Sequence, residues 1–318
     1  MSEKYVRCVQ EMYRDCGTEV RCAAGKTETF KVKVGLHQGS ALSPLLFAVV
    51  MDVLTDDVRR ETPWNMMFAD DIVLMNKEKG QAEEELEGWR NALEKRGLKV
   101  SRAKTEYLCI NKKRDLPPIK IGDDDLPEVQ DFKYLGSIIE QSGSCTKEVK
   151  KRIQAGWSSW RNTTGILCDK RVPVKVKGKL YKTMVRPAML YGLETAALTC
   201  SLERKMQVAE MRMLRWSLGV TRRDRIRNEG IRGTIGVCDI AGKLRETRLR
   251  WYGHVQRREE EHITKRVLNM ELPGKRKRGR PKRRWRDCVA DDMRKSGLST
   301  ENALDRRKWK LSIRCGDP

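Results

Sequence analysis

Residues 66–75 read MMFADDIVLM. Asp70 and Asp71 stand side by side, with four apolar residues before them and four after. Two ionised carboxylates cannot be buried next to each other without partners. Desolvation and mutual repulsion would raise a pKa or unfold the segment. The run therefore reads as strand, turn, strand, with the aspartates at the turn. Two arrangements satisfy the electrostatics. In one, the pair is solvated on an exposed hairpin. In the other, the pair holds a divalent cation, and hard oxygen ligands select Mg²⁺ or Mn²⁺.

The chain has 318 residues and a net charge of +23. That length suggests two or three domains. The charge is unevenly spread. Residues 1–150 hold 24 Lys and Arg against 26 Asp and Glu, and residues 151–318 hold 43 against 18. The first half is balanced and the second carries +25. Such asymmetry points to a polyanionic partner, most often nucleic acid. An anionic membrane ranks lower, because no basic amphipathic helix shows an aromatic face. No apolar stretch approaches the ~20 residues of a membrane span, and the N-terminus lacks the apolar core of a signal peptide. Ten scattered cysteines form no C-x-x-C, and the expectation is reduced intracellular thiols. No heptad pattern persists, which excludes a coiled coil.

Along the chain, residues 3–15 read as a helix. "EVRCAAG" and "TFKVKVG" read as two short strands joined around Gly25. "GLHQGSALSP" is a glycine-containing loop, and a helix follows with Ser43 as N-cap and Pro44 at its first position. A helix over 81–97 turns Leu86, Trp89 and Leu93 inward and stops at Gly97. "LKVSRAKTEYLCI" and "FKYLGSII" read as further strands. After Ser144 the periods become helical, Trp157 and Trp160 read as core, and Pro187 suggests a kink or junction. The expected fold class is α+β, with divisions at 1–145, 146–235 and 236–318.

Four motifs in order, "GLHQGSALSPLLFAVVMD" (35–52), "FADD" (68–71), "GLKVSRAKT" (97–105) and "FKYLGSII" (132–139), resemble consecutive motifs of reverse transcriptases, and specifically those of non-LTR retrotransposons. "AMLYGLET", "LRWYGHVQRRE" and "RGRPKRRWRD" resemble the C-terminal region of such elements. The resemblance implies a right-hand polymerase: part of the palm, then a helical thumb and a basic C-terminal region. It assigns Asp70 and Asp71 to the catalytic metal site, with Mg²⁺ or Mn²⁺ as cofactor. It places Gly35, Gln38 and Gly39 against template and incoming nucleotide. Lys104 would face the triphosphate, and Phe132, Tyr134, Leu135 and Gly136 would form the hairpin that grips the primer end. The implied partners are an RNA template, a DNA primer or duplex, and deoxynucleoside triphosphates.

The two-metal mechanism needs carboxylates spanning two ions about 4 Å apart. The family supplies a further aspartate from an upstream palm strand, and nothing here matches it. Asp15 ends a helix, and Asp52 and Asp57 follow Pro44 on another. The expectation is therefore an N-terminally truncated polymerase with little activity alone. The alternative is a nucleic-acid-binding relic of a retroelement that has lost catalysis.

Residues 275–286, KRKRGRPKRRWR, hold nine basic residues in twelve. "RGRP" (278–281) resembles the core of an AT-hook, which would set Arg278 and Arg280 in a narrow minor groove. Arg278, Arg280, Lys282, Arg283 and Arg284 are the candidate DNA contacts. Groove binding, non-specific phosphate contact and a solvated surface run all fit this composition. The run would also serve as a nuclear localisation signal.

Overall fold

The computed structural model describes residues 2–110, 117–270, 279 and 282–318. It divides into two compact units. The first comprises Met1–Ala103 with Lys120–Asp124, and the second Lys104–Ile119 with Asp125–Pro318. Helices dominate, and the strands form short antiparallel pairs, an α+β composition.

The first unit opens with α1 (Glu3–Tyr13). Two nested strand pairs follow: β1 (Gly17–Thr18) on β4 (Phe30–Lys31), and β2 (Arg21–Cys22) on β3 (Gly25–Lys26). The two strands expected around Gly25 are only partly present: EVRCAAG holds β2 and the first residue of its partner β3, while β4 within TFKVKVG pairs with β1 instead, and all four are short and solvent-exposed. Helix α2 (Ser43–Thr55) comes next. Then come β5 (Asn65–Phe68), β6 (Asp71–Leu74) and α3 (Lys79–Glu94). Met51, Trp89 and Leu93 form the centre of its core. Phe47, Leu54, Met67, Ile72 and Leu74 pack around them. Trp89 and Leu93 are inward on α3, as their spacing predicts, and Gly97 takes the left-handed φ that ends this region.

Two expectations fail here. Ser43 does not cap α2. It is already helical, Leu42 holds the cap position, and the Ser43 hydroxyl donates to the His37 carbonyl. "LKVSRAKTEYLCI" forms no strand, and its only ladder contact is a bridge from Tyr107 to Glu128. Alternation alone does not make a strand where no neighbouring edge is there to pair with.

A short pair, β7 (Lys120–Ile121) and β8 (Asp124–Asp125), comes next along the chain. "FKYLGSII", a strand by its pattern alone and a hairpin by the resemblance, lies on a tight hairpin of the second unit, β9 (Asp131–Tyr134) on β10 (Ser137–Glu140). Leu135 and Gly136 turn it, both at positive φ, as a two-residue hairpin turn of the primed type requires.

The helices that follow are α4 (Thr146–Asn162), α5 (Thr164–Leu167) and α6 (Val174–Leu180). A π-helical segment, Tyr181–Val185, leads into α7 (Arg186–Leu190). Pro187 lies in the first turn of α7, so the wide turn stands where proline cannot donate to the ladder. Next are α8 (Cys200–Leu218), α9 (Asn228–Ile235) and α10 (Ile240–Gln256). The last are α11 (Ile263–Asn269), α12 (Trp285–Ser296) and α13 (Arg306–Ser312).

One core runs from Val149 to Leu244 and includes Trp160, Tyr181, Met189, Met206 and Leu214. A second, around Leu249, Tyr252, Val289 and Trp309, gathers α10 with the C-terminal helices. Among the described residues, no helix is long and apolar enough to cross a membrane.

Candidate polymerase site

Hairpin β5–β6 pairs Asn65 with Leu74, Met66 with Val73, Met67 with Ile72 and Phe68 with Asp71. Ala69 and Asp70 form the two-residue turn, and Ala69 takes a φ of 53°. Side chains alternate across a strand. The register therefore puts Asn65, Met67, Ile72 and Leu74 on one face, and the last three of these enter the core against α2 and α3. Met66, Phe68, Asp71 and Val73 share the other face, where Phe68 is 61% exposed. Asp70 and Asp71 are both exposed. The apolar run thus carries its charges at a solvent-facing tip.

The base of the hairpin is held by a polar clamp. Asn65 is 5% exposed. Its amide donates to Glu85 Oε1 on α3, and its carbonyl oxygen accepts from the Arg60 backbone N–H. Asn76, just beyond β6, donates to Glu85 Oε2. Arg60 donates to Asn76 Oδ1 at 3.0 Å and to Glu85 Oε2 at 3.1 Å. Met75 N–H to Trp64 C=O, 2.8 Å, adds one more rung. One carboxylate thus ties the two strands together at the base. Sequence reasoning misses this clamp, although a signal exists: Asn65 and Asn76 bracket the apolar run symmetrically. Glu85→Ala should leave the buried Asn65 amide unpaired and cost about 1–3 kcal/mol. Hydrogen exchange should then speed up at residues 65–75 more than at α2, and uniform exchange would refute the clamp.

The loop before α2 is shaped by stacking and glycine. His37 stacks on Tyr13 with ring centroids 4.3 Å apart and planes at 13°. Its N–H donates to the Tyr13 hydroxyl at 3.3 Å. Gly35 and Gly39 take φ of 105° and 88°, a region closed to most side chains. Gln38 lies between the two, exposed, and has no side-chain hydrogen bond among the described residues.

Lys104 belongs to the second unit and is exposed. So do Phe132, Tyr134, Leu135 and Gly136, on the β9–β10 hairpin. That hairpin is braced by residues the sequence does not single out. The Tyr191 hydroxyl donates to the Leu135 carbonyl at 3.1 Å. Lys151 and Arg152 of α4 both donate to the Gly136 carbonyl. The Arg152 guanidinium also lies 4.9 Å from the Tyr191 ring centroid. Glu148 accepts from Ile138 N–H at 2.7 Å and pairs with Arg152 at 2.5 Å.

Arg278 and Arg280 lie outside the described residues. Lys282 donates to the Ser142 carbonyl. Arg283 is engaged by Asp291 at 2.6 Å, and the Arg284 backbone N–H donates to Asp287 Oδ2 at 2.8 Å at the start of α12. These contacts tie the end of the basic run into the helical unit.

Among the described residues, no group of three or more His, Cys, Asp or Glu side chains is disposed to hold a metal ion. The Asp70–Asp71 pair offers hard oxygen donors of the type that bind Mg²⁺ and Mn²⁺, so its chemistry fits a divalent ion as part of a larger donor set.

A strand–Asp-Asp–strand hairpin backed by two helices and preceded by a glycine loop fits the class of template-directed polymerases, and comparison with known proteins specifies which. Residues 2–139 match the family described as reverse transcriptase, an RNA-dependent DNA polymerase. The chain is 28% identical over 270 residues to an uncharacterised transposon-derived protein of Caenorhabditis elegans, covering 79% of this chain and 95% of that one. It is 22% identical over 239 residues to the RNA-directed DNA polymerase of the mobile element jockey of Drosophila funebris. It is 26% identical over 208 residues to the Pol polyprotein of the type-1 retrotransposable element R2 of Popillia japonica. Those two matches cover 70% and 58% of this chain, and 25% and 28% of the relatives. The chain thus spans about a quarter of the length of the jockey and R2 proteins. It carries a reverse transcriptase domain, and that domain is of the non-LTR retrotransposon kind.

Proposed function

We propose that this chain takes part in RNA-directed DNA synthesis, holding an RNA template and a DNA primer while Asp70 and Asp71 hold a divalent ion, Mg²⁺ or Mn²⁺. The ion would neutralise charge on the transferring phosphoryl group. The observation that carries this reading is the register of β5–β6. It packs the half-buried Met67, Ile72 and Leu74 against the core and leaves both carboxylates in solvent at the tip. The loop with Gly35, Gln38 and Gly39 would lie against template and incoming deoxynucleoside triphosphate. Its exposed backbone and the unengaged Gln38 amide support that role. Lys104 would face the triphosphate, and the braced turn at Phe132, Tyr134, Leu135 and Gly136 would hold the primer end. Residues 146–235 would act as a thumb and 236–318 as a basic nucleic-acid-binding region.

Two carboxylates are a partial set for two ions. Alone, the chain should extend a primer slowly or not at all. Primer extension on an RNA template with Mg²⁺ tests this. Robust extension abolished in Asp70→Ala would overturn the weak-alone expectation and keep the ligand assignment. Robust extension indifferent to Asp70→Ala would overturn both. A second reading, nucleic-acid binding without synthesis, draws on the +25 charge of residues 151–318. It is favoured by duplex binding that Asp70→Ala leaves intact in a chain that never extends primers.

A further inference from the structure

The second unit carries a cluster that the polymerase reading does not use. Trp157 and Trp160 of α4 and Trp216 of α8 form a mutual triad, with ring centroids 5.7, 5.3 and 5.5 Å apart. Trp160 is buried at 5% exposure, Trp157 is half-buried, and Trp216 is 57% exposed. The inner two rings are core. Trp216 packs against both at interplanar angles of 57° and 56° and still leaves more than half of its surface in solvent.

The chain leaves α8 one turn later through Gly219, and the segment 221–227 reads TRRDRIR. Arg222, Arg223, Arg225 and Arg227 are all exposed, and among the described residues none has a carboxylate partner. The single acid of the segment is held locally: Asp224 accepts from the Thr221 N–H at 2.6 Å and from its hydroxyl at 2.9 Å. Both ends of the loop are anchored to the turn that bears Trp216. At one end, Val220 N–H donates to the Arg215 carbonyl at 3.0 Å. At the other, the Arg215 guanidinium donates to Asn228 Oδ1 at 2.7 Å. Arg212, one turn before Trp216 on the same helix, is also exposed and has no ion pair among the described residues.

We propose that this surface is a binding site for unpaired nucleic acid, with a base stacked on Trp216 and the flanking phosphates taken by the arginines of 222–227. The chemistry is specific to a single strand. A solvent-facing indole needs an unstacked base, and a duplex keeps its bases stacked inside. Arginine next to an aromatic platform is the combination that single-stranded sites use. The inference rests on the second unit being a nucleic-acid binder, and it adds a strand type and a place that the polymerase reading leaves open.

The test uses the full chain and short pyrimidine oligonucleotides, deoxyribo and ribo, with a duplex of equal length as control, read by fluorescence anisotropy. Trp216→Ala should weaken single-strand binding by about 10- to 100-fold and leave duplex binding unchanged. Trp216→Phe should retain most of the affinity. Replacing Arg222, Arg223 and Arg225 by Ala should flatten the salt dependence of single-strand binding by about 0.7 in log–log slope for each phosphate no longer neutralised. Tight binding of either sugar supports the site, and the tighter one names the strand. Unchanged single-strand affinity in Trp216→Ala, or equal weakening for single strand and duplex, overturns it. Trp216 is largely outside the core, and circular dichroism on each variant confirms the fold. Loss of primer extension alone would bear on the hairpin aspartates and leave this site standing.

Discussion

Arg248→Met should lower the stability of the helical unit by about 3–5 kcal/mol, the cost of breaking a buried ion pair from one side. Arg248 on α10 is fully buried. One guanidinium nitrogen donates to Asp292 of α12 at 2.6 Å, and the other reaches Glu203 of α8 at 3.4 Å. Asp292 is itself 5% exposed. Methionine fills the space of the arginine stem but leaves the buried Asp292 carboxylate with only Arg245, whose Nε lies 3.9 Å away. The pair need not be worth much compared with an apolar replacement of both sides. Arg248→Met combined with Asp292→Leu should therefore recover most of the stability. Chemical denaturation of the wild type and both variants gives the three values. A single-variant effect below about 1 kcal/mol, the scale of exposed ion pairs, would show that water or Arg245 satisfies Asp292.

The second large effect is expected at the hairpin tip. Asp70→Asn should weaken Mn²⁺ binding there by about thirtyfold, and the double change to Asn should abolish measurable binding. The magnitude follows from charge alone. Both carboxylates are in water, where a unit charge about 4 Å from a divalent ion contributes about 2 kcal/mol. Every 1.4 kcal/mol or so is tenfold in affinity. Electron paramagnetic resonance of free Mn²⁺ reads this directly and needs no catalytic turnover. Equal Mn²⁺ uptake by wild type and the double variant would remove Asp70 and Asp71 from any metal site.

The first hairpin is readable in the sequence because its aspartate pair interrupts an apolar run at the one place a turn fits. Which of the flanking residues face the core is not readable. Apolar letters on both sides suggest a core strand, yet Phe68 and Met66 lie on the face away from α2 and α3. The β9–β10 hairpin is hidden by Leu135, an apolar residue at positive φ that reads as strand interior. The strand expected at 98–110 shows the converse, a pattern without an edge to pair with. Least legible are the internal charges. Arg248, Glu203 and Glu210 fall within helices rich in charged residues, where a charge is ordinarily solvated. Glu210 is nonetheless fully buried and accepts from Tyr181 and Arg232. Only the three-dimensional neighbourhood distinguishes such a charge from those that face water.

The register of β5–β6 has an evolutionary side. Asp71 is aimed by the same register that packs Met67, Ile72 and Leu74 against the core, so changes at those positions cost stability as well as aim. Selection for a stable chain therefore preserves the aim of the tip even where copying is no longer required. In a descendant that has abandoned synthesis, the backbone would be the last witness to change. Decay would register first in the letters at positions 70 and 71, which folding does not protect.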